Sequence, residues 1–160
     1  MKDQPELKIY EVPVADLVPY AKNAKEHSAA QVDTIAASIE EFGNCDPIAV
    51  WHNAKGEPEI VEGHGRLLAL KKLGHEVAPV IYLDHLSDAQ RRAYTHIHNQ
   101  TTLNSDFDYE VLLPELDELS TEAGINFDDF GFELDDGGEV EELSDDYSQN
   151  VGSVTYEPKD

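Results

Sequence analysis

The chain has 160 residues, 40% hydrophobic and 28% charged, with 34 acidic residues against 11 Lys plus Arg and a formal net charge of −23. That length and composition suit one globular domain with a core of ordinary size, while so acidic a chain cannot as a whole coat a phosphate backbone, which takes cations to displace counterions. There is no apolar run of membrane-spanning length, no apolar leader follows Met1, and the single cysteine, Cys45, makes neither an internal disulfide nor a zinc ribbon, so no membrane contact is expected and the expected location is the cytoplasm.

The charge is uneven. Residues 1–105 hold 15 acids and 10 bases, whereas residues 106–160 hold 19 acids and one base, Lys159. The first two-thirds can therefore still carry a local cationic site.

In chain order, Leu7 to Val12 alternates apolar and polar residues and predicts a first strand. Pro13 and Pro19 bracket a short helical turn at Ala15–Val18. Lys22 to His27 is a polar loop. Ser28 caps a helix running through Phe42, whose apolar face is Val32, Ile35, Ala36, Ile39 and Phe42, with Gly43 at its end. Pro47–Trp51 and Glu59–Val61 are strands joined by a turn at Asn53–Gly56. Glu62-Gly63-His64-Gly65 breaks the second of these, and Arg66–Leu73 is a helix closed by Gly74. Val77–Leu83 is a further strand, its Pro79 suggesting an edge or a strand start. Ser87-Asp88-Ala89-Gln90 has capping-box spacing and opens a helix to about His98. Another helix covers about Tyr109 to Ala123. The expectation is an α+β domain with a small mixed sheet flanked by helices over residues 7–132, followed by an acidic mobile tail or linker over 133–160.

The densest chemistry lies at Glu62-Gly63-His64-Gly65-Arg66. Two glycines at a strand end let backbone approach a ligand, and the following helix offers unpaired N–H groups and the positive end of its dipole. Arg66 in the first turn can grip a phosphate bidentately. Glu62 can hold magnesium or accept a proton, and His64 can donate to a phosphate oxygen. The bland alternative is a Gly-rich connection with an exposed arginine.

Asp46-Pro47-Ile48-Ala49-Val50, then Glu62 to Arg66 with Ala69 three residues on and Gly74 after, resembles the ParB N-terminal/sulfiredoxin superfamily, above all the ParB-like domains of phages and prophages found ahead of DNA methyltransferases. Leu17 to Ala24, Leu83 to Tyr94 and His98-Asn99-Gln100 extend the resemblance in the same order over about residues 8–132. In partition proteins the turn is a Gly-Glu-Arg-Arg box that binds CTP phosphates; Gly63 and Arg66 match it, while His64 and Gly65 replace its Glu and first Arg. In sulfiredoxin the turn carries a catalytic cysteine where this chain has His64, so reductase chemistry is not expected, and Cys45 lies on another segment. Free-serine kinases carry Asp-Gly-His-His-Arg, which differs from this turn at two positions: Glu62 stands for its Asp and Gly65 for its second His.

The resemblance implies a domain that binds a nucleoside triphosphate, CTP or ATP, with magnesium, with slow hydrolysis open, in DNA partition, modification or transcription. Asn23, Gly63, His64, Gly65, Arg66 and Asn99 would bind nucleotide, Glu62 would hold the metal, and Glu62 and His64 would be catalytic. Asn23 and Lys25 to His27 sit in the loop that faces the nucleotide in related domains. Arg91, Arg92, His98 and Asn99 lie on the helix whose family counterpart closes over the triphosphate; Asn99 is the better candidate there, while Arg91 and Arg92 read as ordinary solvated charges ahead of that role, and Trp51, Phe42 and Tyr82 as core or interface residues. His96 and His98 are two apart on a helix and diverge, which argues against a metal pair. Phe127, Phe130 and Phe132 are expected to pin the start of the acidic region, and residues 139–146 to be a solvated linker, with DNA mimicry or partner docking as the sharper reading. The alternatives are a small-molecule or nucleic-acid kinase, and a non-catalytic adaptor docking a DNA methyltransferase or another phage protein. A homodimer is compatible with all three. No basic recognition helix follows residue 105, so direct specific DNA binding by this chain is not expected.

Overall fold

The computed structural model describes residues 4–23, 26–103 and 106–132. Ser28 accepts a hydrogen bond from the Gln31 N–H and opens α1 (Ala29–Phe42), which ends at Gly43, so the capping signal in the sequence is the cap in the fold. The elements before and after α1 are β1 (Ile9–Pro13), a 3-10 turn at Val14–Asp16, β2 (Ile48–His52), β3 (Pro58–Glu62), α2 (His64–Leu73), β4 (Val77–Tyr82) and α3 (Asp88–Leu103). Then come α4 (Tyr109–Glu122) and a 3-10 turn at Phe127–Phe130. Two units divide the chain between Phe107 and Asp108. Among the described residues no helix is long and apolar enough to cross a membrane.

In the first unit the four strands form one mixed sheet in the order β1-β4-β2-β3. β1 pairs antiparallel with β4, β2 antiparallel with β3, and β2 parallel with β4. This corrects the reading of Pro79 as an edge or start residue, since β4 is interior. Its pairing with β2 begins at Val80, one residue past the proline, so no bond from Pro79 to β2 is required there. One face of the sheet presents Ile48, Val50, Ile60 and Val80 to Ala36 and Ile39 of α1 and to Leu67 and Leu70 of α2, all nearly solvent-free. Fully burying a side chain of this size contributes about 1.5–3 kcal/mol. The opposite face carries a smaller cluster of Ala49, Val61 and Leu83, with Trp51, Ile81 and Leu86 against it.

Several expectations shift in detail: β1 begins at Ile9 rather than Leu7, the helical turn lies at Val14–Asp16 rather than Ala15–Val18, and α2 begins at His64 rather than Arg66. α3 runs five residues past His98, to Leu103, because nothing between Asn99 and Leu103 breaks a helix. Phe42, read as core or interface, is 56% exposed at the last turn of α1; the core face of that helix closes one turn earlier, at Ile39. Trp51 and Tyr82 are half-buried. The Ser87 hydroxyl accepts from Gln90 N–H while Gln90 Oε1 accepts from Ser87 N–H, the reciprocal box that the spacing predicts.

In the second unit the Asp108 side chain caps α4 and Leu116 is buried. Phe127 and Phe132 meet edge to face with ring centroids 5.7 Å apart. The expected tail from residue 133, including 139–146, lies outside the described residues, as does Lys25.

Candidate functional site

The end of β3 is shaped by a register shift. Val50 pairs with Ile60 while Ala49 pairs with Glu62, so Val61 is an extra residue on β3. A bulge of this kind re-aims the side chains beside it, here Glu62 at the mouth of the turn. Gly63 follows with φ +112°, and a Cβ there would stand 3.2 Å from the Ile48 side chain. Only glycine takes this conformation at low cost. α2 then begins at His64 with no side-chain cap. Its first-turn N–H groups have no partner within the helix.

Gly65 is needed for space. A Cβ on it would come within 2.9 Å of the His27 ring and 3.0 Å of Ile35 Cδ1. His27, on the loop before α1, is thereby seated directly on the turn. Around this contact lies a pocket of about 130 Å³. It is lined by the turn itself (Glu62, Gly63, His64, Gly65, Arg66), by Asn23, His27 and Ile35, by Asp46 and Val61, and by Thr95 and Asn99 from α3. Every nucleotide, metal and catalytic candidate read from the sequence therefore meets in one cavity: Asn23, Glu62, Gly63, His64, Gly65, Arg66 and Asn99.

His64 accepts a hydrogen bond on Nε2 from the Tyr20 backbone N–H at 3.1 Å. Burial, and next the neighbouring His27, lower its pKa from 6.5 to about 4. The ring is neutral at pH 7, and with Nε2 accepting, its proton sits on Nδ1. Arg66 is held from two sides, donating through Nη1 to Asn44 Oδ1 and through Nη2 to Asp46 Oδ2, each at 3.0 Å. Its side chain is 21% exposed, not the exposed arginine of the bland reading, because the chain before β2 folds over it. Cys45, distant in sequence, sits between these two partners; its thiol donates to the Phe42 carbonyl. Glu62 Oε2 lies 3.4 Å from His98 Nδ1, a pairing that sequence reasoning missed.

Arg91 departs furthest from expectation. Instead of a solvated charge it is 3% exposed. Its guanidinium lies 4.0 Å from the Trp51 ring centroid and 5.2 Å from that of Tyr20, and it donates to Asp88 at 2.7 Å. That hydrogen bond, foremost, holds the Asp88 carboxyl below its usual range. Trp51 Nε1 donates to Glu59, whose carboxylate is 3.9 Å from Arg91. Trp51 and Glu59 are cross-strand partners, so the only sequence signal was a lone tryptophan whose partner the register reveals. Arg92, by contrast, is half-exposed and paired with Asp88, close to expectation.

The chain has relatives among known proteins. The ParB N-terminal domain family model matches residues 1–100. The ParB-like nuclease domain-containing protein YnaK of Escherichia coli (strain K12) is 42% identical over 86 residues, covering 54% of this chain and 94% of that one. A nucleoid occlusion protein of Bacillus cytotoxicus is 30% identical over 121 residues, which span 72% of this chain but only 41% of the relative's length. Among solved structures, the C-terminally truncated chromosome-partitioning protein ParB of Caulobacter crescentus, complexed with CTP-γ-S, shares the fold with a TM-score of 0.65 at 20% identity, over 78% of this chain and 69% of that one. The chain belongs to the ParB N-terminal domain family.

Proposed function

We propose that this domain binds a nucleoside triphosphate, CTP or ATP, with magnesium, with its phosphates on the turn at Gly63 to Arg66, and that it serves a DNA-associated process of a phage or mobile element. The observation that carries this reading is the uncapped start of α2, with Gly63 and Gly65 removing side chains from the approach and Arg66 in the first turn. Unpaired N–H groups, a dipole end and a guanidinium together make an anion site. The ParB of Caulobacter crescentus, complexed with CTP-γ-S, has the same fold, which supports the choice of ligand.

The oxygen donors of the pocket, the Glu62 carboxylate with the Asn23 and Asn99 amides, are of the class magnesium takes. Glu62 would hold the ion, which when bound screens the phosphate charge. Arg66 would turn from Asp46 toward the phosphates, and neutral His64 would donate from Nδ1. Asn99 and Thr95 would face the polyphosphate from α3. Slow hydrolysis is part of the proposal: a water oxygen bonds the γ-phosphorus as the β–γ P–O bond breaks, and Glu62 takes the water's proton.

Calorimetric titration of CTP, ATP, GTP and UTP, each with magnesium, tests the reading. At least one should bind, and Arg66→Ala should weaken it about 10- to 100-fold, as loss of a charge-assisted contact of about 1.5–3 kcal/mol implies. The same variant should lower Tm by a few degrees, because Asn44 and Asp46 lose their shared partner. Absence of binding by all four, or full affinity in Arg66→Ala, would overturn the assignment.

A further inference from the structure

Arg91 does not line the pocket, yet it touches the residue that holds the pocket's histidine. It is buried between the Trp51 and Tyr20 rings. Of its donors, Nη2 reaches Asp88, while Nε and Nη1 are buried without a hydrogen-bond partner. Leaving guanidinium donors unpaired away from water costs stability, and the ring faces and the nearby Glu59 offset only part of that cost. An apolar side chain of similar length would fill the same space without it. The charge therefore calls for a role beyond filling volume, and the groups around it supply one.

Tyr20 has two attachments that bear on the turn. Its ring lies against the Arg91 guanidinium, and its backbone N–H is donated to His64 Nε2. Two residues earlier, Val18 is tied to β3 through the Pro58 carbonyl and the Ile60 N–H, and the Tyr20 carbonyl accepts from the Asn23 N–H, so Tyr20 joins the strand edge to the turn that carries Asn23. His64 in turn is the first residue of α2.

We propose that Arg91 is a positioning residue for the phosphate turn: by clamping the Tyr20 ring it keeps the Tyr20 N–H on His64 Nε2, and so holds His64 and the first turn of α2 in register with the pocket. The consequence for nucleotide affinity rests on the function proposed above; the coupling itself does not.

Amide hydrogen exchange in the full, unliganded chain reads the coupling directly. Arg91→Met should speed exchange at the residue 20 amide at least tenfold, while Leu70 in α2 and Val80 in β4 change less than twofold. Tyr20→Leu keeps that amide but removes the ring, and should give the same acceleration. The double variant should add nothing to either single one, and Arg91→Lys should restore part of the protection. A residue 20 amide as protected in Arg91→Met and Tyr20→Leu as in the parent, or a uniform acceleration at Leu70 and Val80 as well, would overturn the proposal. In calorimetry the triphosphate should bind Arg91→Met about tenfold more weakly than the parent, and an unchanged Kd alongside a released Tyr20 amide would equally overturn it. A parent chain that binds no triphosphate would sink the function proposed above and leave the exchange result to decide the coupling.

Discussion

His64 shows how one side chain can both line the pocket and hold the fold. Its ring is buried enough to stay neutral, and it spends one nitrogen on the Tyr20 backbone. Its pKa is about 4 in the fold against 6.5 in the unfolded chain, so between those values the unfolded state binds the extra proton. The stability this group contributes is thus complete above pH 6.5 and is lost as pH falls toward 4. His64→Gln, whose amide oxygen can still accept from Tyr20, should lack this component. Urea unfolding at pH 7, 5.5 and 4 should show the stability advantage of the parent over the variant shrinking at each step. A constant difference would mean that the ring titrates as in the open chain.

At the scale of elements, the sequence was legible wherever a local signal decides. Ser28, the box of Ser87 with Gln90, and Gly74 each mark a boundary through hydrogen bonds or dihedrals within a few residues. The turn at Gly63 was legible for the same reason, since its glycines and arginine are contiguous. What escaped were facts of register and approach. Pro79 reads as an edge residue until the pairing of β4 is known. Arg91 reads as solvated until Trp51 and Tyr20 come to meet it, and Glu62 reads as unpartnered until α3 brings His98. The Gly65 contact belongs to this class, because no spacing rule says that His27 sits on it. Gly65→Ala should therefore destabilise the domain despite alanine's better helix propensity: overpacking typically costs about 1–3 kcal/mol and the propensity gain returns about 1 kcal/mol. A lower urea midpoint with an unchanged slope is the expected result, together with weaker triphosphate binding as His27 is pushed from its seat. A midpoint at or above the parent's would show that the ring yields freely.

For the molecule as a whole, charge sets the terms of association. The chain carries −23, and even without residues 135–160, which hold nine acids and one base, it would carry −15. Neither form should bind duplex DNA measurably at physiological salt, because few cations are offered to the phosphates. Fluorescence anisotropy of a labelled duplex against both forms checks this. Tight binding by the shortened form with a steep salt slope would instead mean that the acidic end competes with nucleic acid. The pocket faces the same arithmetic on a smaller scale, with two carboxylates, Asp46 and Glu62, against the one guanidinium of Arg66; a divalent cation would offset the carboxylates where a triphosphate approaches the turn, which is why one belongs in the reading.

The interior position of β4 also has a kinetic meaning. β2, its turn, β3 and α2 are consecutive and can form early, since their contacts close only short loops. β1 has no strand to pair with until β4 arrives, 72 residues later in register where Ile9 meets Ile81. The glycine turn thus lies inside the segment with the shortest loops, while the α3 residues that line the same pocket, Thr95 and Asn99, follow β4 in the chain. On the ribosome, the glycine turn emerges before the wall opposite it has been synthesised.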